Sequence, residues 1–156
     1  MNRLSTSLLA VLVVACIASG ASAKPVPLKG EYAGEPVSAV PVDEETVFVT
    51  TVGGGKLTHL GKFTFVSPHL SRLFDFSVQG QQSLTAANGD TVVGEFDSQL
   101  ELVDGGFLVG DIEVTIVGGT GRFANSTGSY TFSIIFELAT LRSVATIDGE
   151  IDYGGK

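Results

Sequence analysis

Residues 114–124 read VTIVGGTGRFA, a β-branched run that ends in Gly118-Gly119-Thr120-Gly121 before Arg122 and Phe123. A strand running into such glycines opens many dinucleotide-binding folds, where the glycine turn begins a helix whose N-terminus holds a pyrophosphate. That reading requires a helix next, and then a parallel strand with an acidic residue about 20 positions on. Here Ala124-Asn125-Ser126-Thr127-Gly128 leads instead into Ser129-Tyr130-Thr131-Phe132, a second alternating run. No Gly-Lys-Ser or Gly-Lys-Thr occurs, which removes a phosphate-binding P-loop as well. The stretch therefore reads as a connection between two strands. Gly118, Gly119 and Gly121 supply positive φ or close backbone approach, Phe123 plugs one end of the domain and Arg122 lies at its rim.

Outward from this connection, the pattern from Thr46 onward has a period of two and is broken by turn signals roughly every ten residues, as in a sandwich or barrel. It predicts strands over Val47–Val52, ended by Gly53-Gly54-Gly55, and over Leu57–Val66, ended by Ser67-Pro68 because proline cannot donate to a central ladder. Leu73–Val78 and Gln82–Ala87 follow. Asn88-Gly89, whose residues tolerate positive φ, then forms a type I′ hairpin turn into Asp90–Val103. Asp104-Gly105-Gly106 turns into Phe107–Val117, and Ser129–Leu138 and Ser143–Tyr153 complete eight strands with mostly short connections, an antiparallel meander. Lys24–Glu45 holds all but one of the five prolines and is expected to be an extended lead-in wrapping one end of the domain formed by residues 46–156.

Alternation also assigns faces. Val92, Phe96, Leu100 and Leu102 lie opposite Glu95, Asp97, Gln99 and Glu101, and Tyr130, Phe132, Ile134, Phe136 and Leu138 repeat the arrangement. One dry face and one wet face on eight strands suit a closed barrel, which removes exposed sheet edges. The same alternation places His59 beside Leu57, Gly61, Phe63 and Phe65, facing inward. Ser98, Tyr130 and Tyr153 are the other polar side chains on inward faces. Together these four are the candidate ligand-binding residues, a few orienting hydrogen-bonding groups in an otherwise apolar pocket.

The first residues follow different rules. Arg3 is a positive start, Leu8–Ile17 form an apolar core too short for a bilayer, and Ala21-Ser22-Ala23 is a signal-peptidase site, predicting cleavage after Ala23 and a secreted or periplasmic protein. A competing reading makes Val13-Val14-Ala15-Cys16 the lipidation site of a bacterial lipoprotein. Cleavage leaves 133 of the 156 residues, enough for one self-supporting domain, and removes Cys16, the only cysteine. Disulfides, thiol nucleophiles and cysteine metal sites are thereby excluded. Without Arg3 the chain carries 8 basic and 17 acidic residues, a net charge of about −9 with no basic cluster, so nucleic acid and anionic membranes are poor partners.

The stretch TIVGGTGRFANSTGSYTF resembles the strand-turn-strand element of allene oxide cyclase and dirigent proteins. With Ala87-Asn88-Gly89-Asp90 and Thr58-His59-Leu60-Gly61, it is similar to a group of small secreted bacterial proteins of the allene oxide cyclase barrel-like group. The likeness covers most of residues 46–153. It implies an eight-stranded antiparallel barrel with an interior cavity, in agreement with the strand count. It carries no catalytic residue across, since fold alone does not specify chemistry.

The remaining chemistry is sparse. Carboxylates fall on wet faces at Glu95, Asp97, Glu101, Asp111, Glu113, Asp148, Glu150 and Asp152, where they serve solubility. His69 follows Pro68 in an expected loop without a partner, and two histidines with no paired spacing argue against zinc. No Gly-x-Ser-x-Gly elbow is present. Neither a metal nor a cofactor is expected. The function that follows is non-catalytic: binding of a small apolar or amphipathic ligand in the barrel mouth, or a stable extracellular module. The alternative is an isomerase or cyclase that shapes a hydrophobic substrate by confinement, and a third reading is an acidic outer face that meets a cationic partner.

Overall fold

A computed structural model describes residues 24–154. The expected signal peptide, its cleavage site and Cys16 lie outside these residues. Nine strands run in chain order: β1 (Val26–Pro41), β2 (Thr46–Leu57), β3 (Gly61–Arg72), β4 (Ser77–Ala86), β5 (Thr91–Gln99), β6 (Glu101–Val103), β7 (Phe107–Gly119), β8 (Thr127–Glu137) and β9 (Arg142–Asp152). A 3-10 turn at Gly121–Phe123 is the only helical element among the described residues. The sheet order is β5-β4-β3-β2-β1-β9-β8-β7-β6, every neighbour antiparallel, and β5 also pairs with β7. That last ladder closes the sheet on itself.

β5 and β6 form one interrupted stave. Both pair with β7, from Val92↔Gly119 to Phe96↔Val114 and again from Glu101↔Val109, and the break falls around Leu100, whose side chain turns inward. The molecule is therefore a closed eight-stranded antiparallel barrel, as expected, although its staves are counted differently. Lys24–Glu45 is extended but wraps nothing. As β1, it pairs with β2 along Gly30–Pro41 and with β9 along Val26–Gly34, and so sits in the wall with ladders on both sides. Its prolines hid this: Pro36 lies next to a register shift between Pro36 and Ser38, and Pro41 ends the strand.

Three further turn signals read differently in three dimensions. Gly53-Gly54-Gly55 lies inside β2. A Cβ at Gly53 would stand 2.1 Å from the Ala33 carbonyl oxygen and one at Gly55 would stand 2.0 Å from that of Glu31, so these glycines allow close backbone approach to β1. Pro68 lies inside β3. The β3–β4 ladder pairs Val66 with Ser83 and resumes at His69 with Gly80, so the missing N–H falls in a gap, where the Ser67 hydroxyl donates to the Gln81 carbonyl at 3.1 Å. Leu73–Phe76 is a turn, with Phe76 at φ 57°, and the strands expected on either side of Gln79 are the single β4. The Asn88-Gly89 hairpin is present, but only Gly89 has positive φ (89°), and Asp90 O accepts from Ala86 N. This is a three-residue loop with a left-handed glycine and not a type I′ turn.

Inward-facing residues grade from sealed to open along the barrel. At one end Leu28, Leu84, Val92, Phe123 and Ile151 are fully buried. Along β8 the inward set runs from Tyr130, 2% exposed, and Phe132, 3%, to Leu138 in the β8–β9 turn, 42%. The barrel thus has a closed end and an open mouth.

Candidate functional site

The closed end is built by the GGTGRF connection. Phe123 packs edge-on against Tyr153 with ring centroids 5.2 Å apart, and the Arg122 guanidinium lies 4.7 Å over the Phe123 ring. Arg122 donates to the His59 carbonyl at 2.7 Å and faces the Asp90 carboxylate at 3.6 Å. The expected plug and rim residues therefore stand where the sequence placed them, as barrel closure. His59 belongs to this end too. It occupies the exposed β2–β3 turn with φ 64°, and its Nδ1 lies 3.3 Å from the Tyr153 hydroxyl. The strand register that pointed His59 inward stops at Leu57, because the chain reverses at Thr58–Leu60.

The opposite half of the barrel encloses a cavity of about 400 Å³ that opens at the mouth. Its aromatic wall is a chain of tilted contacts: Tyr32 to Phe65 (4.6 Å), Tyr32 to Phe132 (5.9 Å), Phe96 to Phe132 (6.0 Å) and His69 to Phe96 (6.1 Å). At its base Gln82, 1% exposed, accepts a hydrogen bond from the Tyr130 hydroxyl at 2.9 Å and also partners the hydroxyl of Tyr32. Burial pushes both phenols well above the usual tyrosine range, and for Tyr130 the neighbouring Tyr32 adds to the shift. Both therefore stay neutral and serve as donors or acceptors without ionising. Around the mouth stand Leu73, Phe74, Leu138 and Leu141, all exposed apolar side chains from two separate turns.

Of the four ligand-binding candidates from the sequence, none is among the residues that line this cavity. Tyr130 lies beneath it, on Gln82; Ser98 is half-buried on β5, before the break at Leu100; His59 and Tyr153 meet each other at the closed end. The histidine that does line the cavity is His69, on the inward register of β3 with Ser67 and Ser71. The signal that could have found it was the alternation Phe63, Phe65, Ser67, His69, which continues straight through Pro68.

His69 Nδ1 is 3.0 Å from the Ser67 carbonyl oxygen. A carbonyl only accepts, so Nδ1 carries the proton and Nε2 of the neutral ring is an acceptor. Burial holds the ring's pKa below the usual 6.5, with the Ser67 carbonyl opposing that shift. Among the described residues, Tyr32, His69 and Arg72 are the only titratable groups lining the cavity, and no carboxylate lines it. Among the described residues no group of three or more histidine, cysteine or acidic side chains is placed to hold a metal, and no helix is long and apolar enough to cross a membrane.

No family model matches this chain, and no curated protein matches its sequence. Solved structures do. The pterocarpan synthase dirigent protein PsPTS1 superposes with a TM-score of 0.50 at 14% identity, covering 85% of this chain and 97% of that one. The pterocarpan synthase dirigent protein GePTS1 gives a TM-score of 0.51 at 16% identity, covering 85% and 87%. The fold is a dirigent-like barrel. At such identity the likeness concerns the path of the chain, and the contents of this dirigent-like barrel are its own. Its closed end is built on the glycine connection, while its cavity is lined from β1–β5 and β7–β9.

Proposed function

We propose that this dirigent-like barrel is an exported binding protein that holds one small, largely apolar molecule in its mouth cavity. The observation that carries the reading is the cavity itself, about 400 Å³ walled by aromatic and aliphatic side chains. That volume lies in the usual range for small-molecule pockets, and a few polar groups among apolar walls are their usual composition. Apolar side chains around the opening extend the same surface to solvent. A non-catalytic role is favoured because, among the described residues, no carboxylate lines the cavity and its one tyrosine, Tyr32, remains neutral. A second reading, confinement of a reactive substrate for cyclisation, is supported by the synthase names of the two similar structures and by a neutral His69 inside the cavity.

Native mass spectrometry of the protein secreted by its own host tests these points together. The expected spectrum shows a chain starting at Lys24 and a small molecule bound one per barrel. That molecule should be displaced by the neutral probe N-phenyl-1-naphthylamine, and lost in Ala39→Trp, which fills the mouth. Equal probe binding by wild type and Ala39→Trp would overturn the cavity as the site. A ligand recovered chemically altered would favour the second reading.

A further inference from the structure

The reading of the cavity as a ligand site leaves open what it selects. Its walls are apolar, so selection rests on the polar atoms that have unused hydrogen-bonding capacity. Several are already engaged: the Ser67 hydroxyl donates to Gln81 O, the Ser143 hydroxyl donates to Gly34 O at 3.2 Å, and Gln82 is held between two tyrosines. The Thr51 and Ser71 hydroxyls also line the cavity, but each can turn to donate or to accept and so favours neither kind of ligand. His69 Nε2 differs, because it can only accept. It makes no hydrogen bond to any described residue, yet no buried side-chain nitrogen or oxygen in the described protein lacks a partner, so Nε2 is reached from the cavity's open space.

We infer that the cavity selects neutral apolar ligands carrying a hydrogen-bond donor, such as a hydroxyl or N–H, which His69 Nε2 accepts, and that protonation of His69 cancels this selection. The tautomer follows from the Ser67 carbonyl, as derived above. The neighbours preserve it. β2 faces His69 with Val49 and Thr51, β4 with Gly80 and Gln82, β5 with Phe96, and β1 contributes the neutral Tyr32. Among the described residues the only charge lining the cavity is Arg72, at the mouth end of β3. Asp43 and Asp75 lie in its field, each held below the usual carboxylate range chiefly by a backbone N–H, from Glu45 and Ser77 respectively, and to a smaller extent by Arg72. These two carboxylates offset Arg72 as a docking point for an anionic head group. Once protonated, His69 presents donors at both nitrogens and would repel a ligand donor.

The inference rests on the cavity reading and is tested so that the two can fail separately. Borneol and camphor share a rigid bicyclic skeleton, but the first ends in a hydroxyl and the second in a ketone that only accepts. Their binding is measured by calorimetry on wild type and His69→Leu, at pH 7.5 and at pH 4.5. In wild type at pH 7.5 borneol should bind about tenfold tighter, the worth of one net hydrogen bond, because camphor sets lone pair against lone pair at Nε2. Ring-proton NMR of wild type at pH 4.5 identifies the charged form of His69, in which the ratio should fall to one or reverse, and in His69→Leu it should stay near one at both values. Equal affinities in wild type at pH 7.5, or a ratio unchanged by His69→Leu, would overturn the inference while leaving the cavity as a ligand site. Binding of neither probe to wild type would remove both. Far-ultraviolet circular dichroism of each sample confirms the folded barrel.

Discussion

At the residue scale, the glycines of GGTGRF show why one motif can suggest two unrelated chemistries. A phosphate cradle and a barrel corner both need backbone without a side chain, and only the next element distinguishes them. Here a Cβ on Gly119 would stand 1.9 Å from the Thr91 carbonyl oxygen, and one on Gly121, at φ 57°, would collide with the Asp90 carboxylate. The first collision is with backbone of the closing β5–β7 ladder, which cannot rotate away. Gly119→Val and Gly121→Val should each cost about 2 kcal/mol or more of stability, read as a lower urea midpoint. Nucleotide-dependent stabilisation of the wild type would restore the cradle reading. The motif belongs to closure, at the end of the barrel away from the cavity.

At the element scale, β1 is the segment whose role changed most between sequence and structure. Prolines and weak alternation marked it as a lead-in, but it pairs with β2 and β9 and buries Leu28 and Tyr32 in the core. A chain starting at Val42 would lack one of eight staves and would expose the edges of β2 and β9, both long and rich in β-branched residues. Such a chain should aggregate and lose the size-exclusion peak of the full-length protein, whereas a true lead-in could be removed with little effect. Adding β1 back as a separate peptide should restore that peak if strand pairing is the reason. Proline inside β3 and three glycines inside β2 misled for the same cause: a strand tolerates them where its ladder has a gap or where a neighbour approaches closely, and both are properties of the neighbouring strand.

At the scale of the whole molecule, the barrel is sealed at one end and open at the other, and His69 links that architecture to pH. Its folded pKa lies below the ordinary 6.5 because burial disfavours the imidazolium. As pH falls through the ordinary value the unfolded chain takes up a proton that the folded barrel resists, so the unfolded state holds more protons and stability declines. The loss from this group stops once pH passes below the folded pKa. Between pH 7.5 and 5.5, above the usual carboxylate range, the urea midpoint should drop more in wild type than in His69→Leu. Equal slopes in the two proteins would show that the ring protonates as freely in the barrel as in the open chain.

Much of this architecture was legible in the residues. Period-two alternation, turn spacing and the missing helix after GGTGRF were enough for an all-β antiparallel barrel, for Phe123 as a plug and for Arg122 at its rim, because these depend on local geometry and on side chains seen by their own strand. The count of eight staves also matches, because dividing β4 into two strands offsets leaving out β1. The composition of the cavity was not. Parity tells which face a residue takes but not its height along the barrel, and height decides whether an inward residue fills the sealed end, as Tyr130 does, or lines the open one, as His69 does. Only the tertiary structure sets that height, through the register of eight ladders and the closure of β5 on β7.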